Sequence, residues 1–351
     1  MNGSRLALAR KLCGLTQTQL AQKSGVTPRA ISKFEQEGKG LGEEKLEEIA
    51  NILGVDLEFF AQKEVELPEV ASVSFRARSK MSAKKRDQAL AASALGIEFS
   101  DWMDREFKLP MTNVPDYEGY DPETAARALR AKWGLGEGPV GDMIAIMEAN
   151  GIRIFSICET SQEIDAYSFW DERRNLPFVF LSLSKSGERR RMDAAHELGH
   201  IVLHRKTAYE ESGIRDIERE ANDFASAFLM PDKGFRSQLP QSLSLNAVMR
   251  IKRFWKTSAF AVVFRAHRLG QVSDWQYHNL CVQMSKKGLR TREPDGIIPE
   301  RSRVLDQVIR SATSDYGSKH EMAKAIGIPY RLLLSLSFEP PVKVVSRKRS
   351  K

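Results

Sequence analysis

The stretch Ala194-Ala195-His196-Glu197-Leu198-Gly199-His200-Ile201-Val202-Leu203-His204 constrains this chain more than any other, because it sets an HExxH pattern inside a run that reads as one helix. Two imidazoles four residues apart share a helix face. His196 and His200 can therefore hold a single Zn2+ through neutral ring nitrogens, while Glu197 projects beside them toward whatever water that ion carries. That is the arrangement of a zinc hydrolase. With only six histidines in 351 residues, chance spacing is a poor explanation.

A catalytic zinc needs a third protein ligand and an open fourth position. His204 continues the ladder one turn on, but ligands on three successive turns approach a line. It reads as a packing residue or as one that supports a ligand. A third histidine six residues past His200 is missing, since Lys206 stands there. Downstream, Ile217 to Met230 reads as a second amphipathic helix, stopped by Pro231. On it Glu218 and Asn222 lie one turn apart, as an ion ligand and the group that steadies a ligand would.

The pair HELGHIVLH and ExxANxFAxxFLMP, here His196 to His204 and Glu218 to Pro231, resembles the ImmA/IrrE metallopeptidase family. The resemblance spans about half of the chain and rests on a joint motif. It implies that the HExxH helix and a downstream glutamate form the zinc site, with the third ligand four residues before the asparagine, at Glu218. Glu220, on another face of the same helix, is the alternative. The mechanism implied is zinc hydrolysis of a peptide bond, with Glu197 taking the proton of the attacking water. Tyr167 and His267 are the polar residues available to steady an oxyanion.

The first 62 residues read as a separate unit. Arg5 to Cys13 forms a helix ended by Gly14, and Thr16 caps a second over Gln17 to Lys23. Ser24-Gly25-Val26 turns the chain, then Thr27 caps and Pro28 opens a third helix through Glu35. Leu20, Ala21, Val26 and Ile31 are the apolar positions that lock a helix-turn-helix, and Leu46, Ile49, Leu53, Leu57, Phe59 and Phe60 complete a small core. The segment LTQTQLAQKSGVTPRAISKFEQEGK resembles the XRE family of Cro/cI-like repressors, which implies binding to double-stranded operator DNA. Charge agrees: residues 1–40 carry seven basic and two acidic side chains, residues 41–62 six acidic and one lysine. The DNA-facing candidates are Gln17, Thr27, Arg29, Ser32 and Lys33.

Between these signatures, Glu64 to Glu69 reads as a linker. Arg76, Arg78, Lys80, Lys84, Lys85 and Arg86 make a basic cluster that either tracks phosphate or is solvated. Ser82 to Phe107 reads as a long helix with Leu95, Phe99, Trp102, Met103 and Phe107 on one packing face. Helices over Asp121 to Trp133 and up to Asn150, then strands at Ile152 to Phe155, Ala166 to Trp170 and Pro177 to Ser184, give a small sheet beside the zinc helix. A strand there is placed to take an extended peptide by edge pairing. Arg189, Arg190 and Arg191 either meet a ligand carboxylate or pair with acidic neighbours.

After Pro231 more helix is expected. Val304 to Ile309 with His320 to Leu333 faintly resembles a second helix-turn-helix, or equally is a helical cap on the zinc domain, the preferred reading. Lys343 to Lys351, with five basic residues in nine, reads as a disordered tail.

The fold expected is therefore α+β and mostly helical. Its units are a helix-turn-helix domain at 1–62, a basic linker and long helix at 63–120, a zinc metallopeptidase domain at 121–284 and a helical region with a basic tail at 285–351. A net charge of +8 and a pI near 9.3 suit a polyanionic partner. No apolar run reaches a membrane-spanning length and no secretory apolar segment follows Met1, so a cytoplasmic protein without membrane contact is expected. Cys13, Cys158 and Cys281 are too few and too scattered for a disulfide scaffold or a thiolate zinc site. The expected function is a homodimeric transcription regulator whose zinc domain cuts a repressor-like or antitoxin-like partner, or itself. The alternative is a regulator whose zinc domain only senses a ligand or dimerises.

Overall fold

The computed structural model describes residues 1–68, 74–75, 82–157, 165–205 and 213–339. Arg76, Arg78, Lys80, Cys158, Lys206 and the tail from Lys343 lie outside them. Among the described residues the fold is α+β and mostly helical, with sixteen α-helices and one four-stranded sheet.

The amino-terminal helices follow their caps. α1 (Gly3–Leu12) leads to α2 (Gln17–Ser24), where the Thr16 hydroxyl accepts from Gln19 N and the Gln19 side chain returns to Thr16 N. Gly25 takes the left-handed conformation, with φ 65°, that ends α2. Thr27 caps α3 (Pro28–Glu37), and α4 (Glu43–Leu53) with a 3-10 turn over Leu57–Ala61 closes the unit. Leu6, Leu20, Ala21, Ile31, Phe34, Leu46, Ile49 and Phe60 are its core, with Val26 partly buried against them.

α5 (Ala83–Glu106) departs from expectation. In place of one packing face, every residue from Gln88 to Ile97 is buried. The run Ala91-Ala92-Ser93-Ala94-Leu95-Gly96 is small enough for neighbours to close in from two sides. On one side α1 lies along it: Arg5 forms a two-pronged pair with Glu98 at 2.9 and 2.6 Å, and Gln88 donates to Leu12 O. On the other, a Cβ at Gly96 would stand 3.1 Å from the Phe180 ring, so glycine sets how closely the sheet approaches.

That sheet has the order β1-β3-β4-β2. β2 (Arg153–Ser156) runs parallel to β4 (Leu176–Leu181), while β3 (Ala166–Asp171) pairs antiparallel with both β4 and the short β1 (Ser74–Phe75). β4 stops at Leu181, before the expected Ser184, because Ser182 and Ser184 bond to each other and turn the chain. α6 (Pro122–Lys132) and α7 (Met143–Ala149) precede the sheet, and α8 (Gly187–Leu203) follows it directly. Alternation along β3 separates two faces. Tyr167 reaches Ser93 of α5 at 3.0 Å, whereas Ser168 reaches Glu197 of α8.

α9 (Ile214–Leu229) packs along α8 and is stopped at Pro231 as expected. Then come α10 (Asp232–Arg236), α11 (Leu245–Trp255), α12 (Ala259–Arg268), α13 (Asp274–Lys286), α14 (Arg303–Tyr316), α15 (Lys319–Ile326) and α16 (Tyr330–Leu336). α15 and α16 do form a helix-turn-helix, and they also cap the sheet: Ser156 of β2 donates to Ser335 O and accepts from Phe338 N.

Candidate metal centre and nucleic-acid interface

Ser186 caps α8 by accepting from Arg189 N, and the helix then runs unbroken through the HExxH stretch. His196 and His200 project from one face, with Nε2 atoms 3.0 Å apart. Gly199 lies between them, and a Cβ there would meet Phe224 at 3.1 Å and Ala221 at 3.2 Å. This glycine lets α9 come close enough for Glu218 to reach 3.4 Å from His196 Nε2 and 3.5 Å from His200 Nε2. Zinc bonds of about 2.0–2.1 Å in tetrahedral geometry put ligand atoms about 3.4 Å from one another, so the three atoms are spaced for that ion.

Their supports fit as well. His196 Nδ1 meets Asn222 Oδ1 at 3.1 Å, and Asn222 Nδ2 donates to Glu218 O at 2.7 Å, so one amide fixes a ligand from each helix. His200 Nδ1 meets His204 Nδ1 at 3.2 Å, and His204 Nε2 meets Glu220 Oε2 at 2.9 Å. The tautomers this network favours place a proton on each ligand's Nδ1 and turn both Nε2 lone pairs toward Glu218. Glu220 is thus engaged away from the triad. Burial pushes the His200 imidazole down to about 3, against the hydrogen bond that a protonated ring would donate to Glu218. Burial would raise the Glu218 carboxyl, yet the hydrogen bonds and positive charge that the His196 and His200 rings would supply if protonated at Nε2, as a bound cation would in their place, hold it well below the usual carboxylate range. Neutral imidazole and ionised carboxylate are the forms a cation binds.

Glu197 is fully buried, and its Oε2 accepts from Ser168 Oγ at 2.6 Å. Sequence reasoning alone misses Ser168; its one signal is a small polar side chain among the aromatic and apolar residues of Ala166 to Trp170. The two oxyanion candidates stand elsewhere. Tyr167 points to the opposite sheet face, and His267 pairs with Asp274 at 2.7 Å. The open strand edge expected beside the zinc helix is also occupied over Tyr167 and Ser168, because β1 pairs with both.

On α3, Arg29 and Lys33 are exposed and Ser32 is half-buried, while Thr27 Oγ1 accepts from Ala30 N at 3.2 Å as the cap. Gln17 is less free than its position suggests, since Nε2 donates to Glu35 Oε2 at 2.7 Å. Glu35 in turn takes two bonds from Arg10, at 2.5 and 2.8 Å, which ties α1, α2 and α3 together behind the exposed face. The arginine run divides: Arg191 pairs with Glu300, Arg189 donates to Arg290 O, and Arg190 bonds two backbone carbonyls.

Comparison with known proteins agrees with both halves. Residues 6–60 match the family model of a helix-turn-helix, and residues 147–267 match that of the IrrE N-terminal-like domain. Two proteins described as HTH-type transcriptional regulators, from Sinorhizobium medicae and Rhizobium meliloti, are each 36% identical over 58 residues. The matched segment is 16% of this chain and 42% of each relative, so the chain spans about two fifths of the length of the curated relatives it matches. Among the described residues no helix is long and apolar enough to cross a membrane.

Proposed function

We propose that this chain, which joins an XRE-type helix-turn-helix to an ImmA/IrrE-like domain, is a DNA-bound regulator that acts as a zinc endopeptidase on a protein partner. The observation that carries the reading is the convergence of His196, His200 and Glu218, whose ligand atoms lie within 4.8 Å of one another. These residues would hold Zn2+, which supplies Lewis acidity to the scissile carbonyl and acidifies water. Glu197 takes the proton of the attacking water and delivers it to the leaving amine nitrogen. Ser168 orients Glu197, Asn222 holds His196, and His204 with Glu220 holds His200. Gln17, Thr27, Arg29, Ser32 and Lys33 meet the operator as a homodimer in the cytoplasm. The substrate is a repressor-like or antitoxin-like protein, or a second copy of this chain. The units of this reading are 1–62, 63–120, 121–284 and 285–351.

A second reading is favoured by the complete burial of Glu197: the domain then senses a ligand or dimerises without cutting. Glu197→Gln separates the two, because it preserves shape and zinc content while removing a base worth a factor of about 10² to 10⁴. A reporter strain with this variant should repress but fail to induce, and an immunoblot should lose the cleavage product. Induction like wild type with no product in either strain would sink the peptidase reading. Metal content provides an independent check: about one zinc per chain in wild type and in Glu220→Ala, strongly reduced in His196→Ala and Glu218→Ala.

A further inference from the structure

A cleft of about 630 Å³ lies between the first turns of α8 and the carboxy-terminal helices, lined by Leu183, Arg190, Ile298, Pro299, Arg301 and Phe338. Its size is that of a small-molecule site. Three carboxylates also border it, and two are already committed. Asp142 pairs with Arg303 at 2.8 Å, and Glu300 pairs with Arg191 while accepting from Met143 N. Asp306 is exposed on the rim.

Arg190 is different. It is 5% exposed, yet it donates only to backbone carbonyls, Leu183 O at 2.9 Å and Glu300 O at 3.2 Å, and its Nε–H has no acceptor among the described residues. Burial, then the nearby charge of Arg301, push its guanidinium pKa down against the pull of Glu300. A buried guanidinium with a donor to spare, backed by a second arginine and facing apolar walls, is an incomplete anion site.

We propose that this cleft binds a small organic anion, a carboxylate or a phosphate, with the charged group on Arg190 and Arg301 and the apolar part against Leu183, Ile298, Pro299 and Phe338. Bound there, the anion joins the helix that carries His196 and His200 to the unit that caps the sheet. The site needs neither proteolysis nor DNA binding to exist.

The test is calorimetric titration of the full-length, zinc-loaded protein with inorganic phosphate and, separately, benzoate, at constant ionic strength against chloride. Saturable binding of either anion is expected, and which one binds tells the two chemistries apart. Arg301→Gln, at an exposed position that folding tolerates, should weaken it about ten-fold or more, as should Arg190→Gln if that variant folds. Lys33→Ala should bind as wild type does, which excludes the DNA face. The proposal is overturned if neither anion binds saturably, or if Arg301→Gln titrates like wild type.

Discussion

Two helix-turn-helix units in this chain share a scaffold and differ in what their second helix faces. α2–α3 and α15–α16 align without a gap. Thr16 matches Ser318, each accepting from a backbone N–H three residues on, and Gly25 matches Gly327, with φ of 65° and 75°. Leu20, Ala21, Ile31 and Phe34 match Met322, Ala323, Leu333 and Leu336, all buried. The outward positions diverge: Arg29, Ser32 and Lys33 face solvent or half-face it, whereas their counterparts are exposed Arg331, half-buried Leu334 and buried Ser335. Where Lys33 reaches outward, the backbone of Ser335 is bonded to β2. Cap, turn and core are thus common to the two units, and the outward positions of the second helix are where they differ.

The largest test of that contrast is in the two cores. Phe34→Ala should cost about 3–5 kcal/mol and Leu336→Ala about 2–5 kcal/mol of stability, read by denaturant unfolding, because each empties a fully enclosed position. A silent Leu336→Ala would mean that the carboxy-terminal unit is not part of the cooperative fold. Next are the outward faces. Arg29→Ala and Lys33→Ala should each weaken operator binding by about 1–3 kcal/mol, with relaxed sequence preference wherever a base is read, while Arg331→Ala should leave preference intact. Electrophoretic titrations on a selected operator decide it, and equal losses at Arg29 and Arg331 would erase the distinction.

A smaller effect concerns how the second unit is held. Glu148 accepts from Arg303 N and Val304 N, at the start of α14. Burial raises its carboxyl from 4.5 to about 7, against hydrogen bonds from Ser302, Arg303 and Val304. Since the folded pKa lies above the unfolded one, its contribution is greatest below about 4.5 and declines as pH rises to about 7. Between about pH 6 and 8 the decline should be about 1 kcal/mol. Glu148→Gln should remove that part of the pH dependence; an unchanged profile would show that another group causes it. Smallest are the caps: Thr16→Ala and Ser318→Ala should each cost about 1 kcal/mol, with DNA affinity falling only for the first.

Legibility in the sequence is local. Thr16, Gly25, Thr27 and Pro28 mark their own turns, and the spacing of His196, Glu197 and His200 needs only a helix to bring the side chains together. The approach of Glu218 is reachable through the resemblance to the ImmA/IrrE family, which implies a ligand four residues before Asn222. Illegible are the contacts that join distant segments. Ser168 beside Glu197, the β1 pairing that occupies the expected edge, and Gly199 as the close approach of α8 to α9 depend on register between elements, which no periodicity carries. α5 misleads because its small residues look like a weak one-sided stripe until both neighbours are in place.

The double burial of α5 bears on how such a chain can be cut or recombined. Its sequence invites modular thinking, a reader domain tied by a cord to an enzyme-like domain. Its packing denies that, because α1 and the sheet share one helix as a party wall, with Arg5 anchored in Glu98 across the join. Removing residues 1–62 would strip one side of that wall and expose apolar surface, and a swapped amino-terminal unit would have to bring a matching α1 with it. The two halves are better viewed as co-tenants than as beads on a string, so exchange among relatives should occur in blocks that carry α5 along.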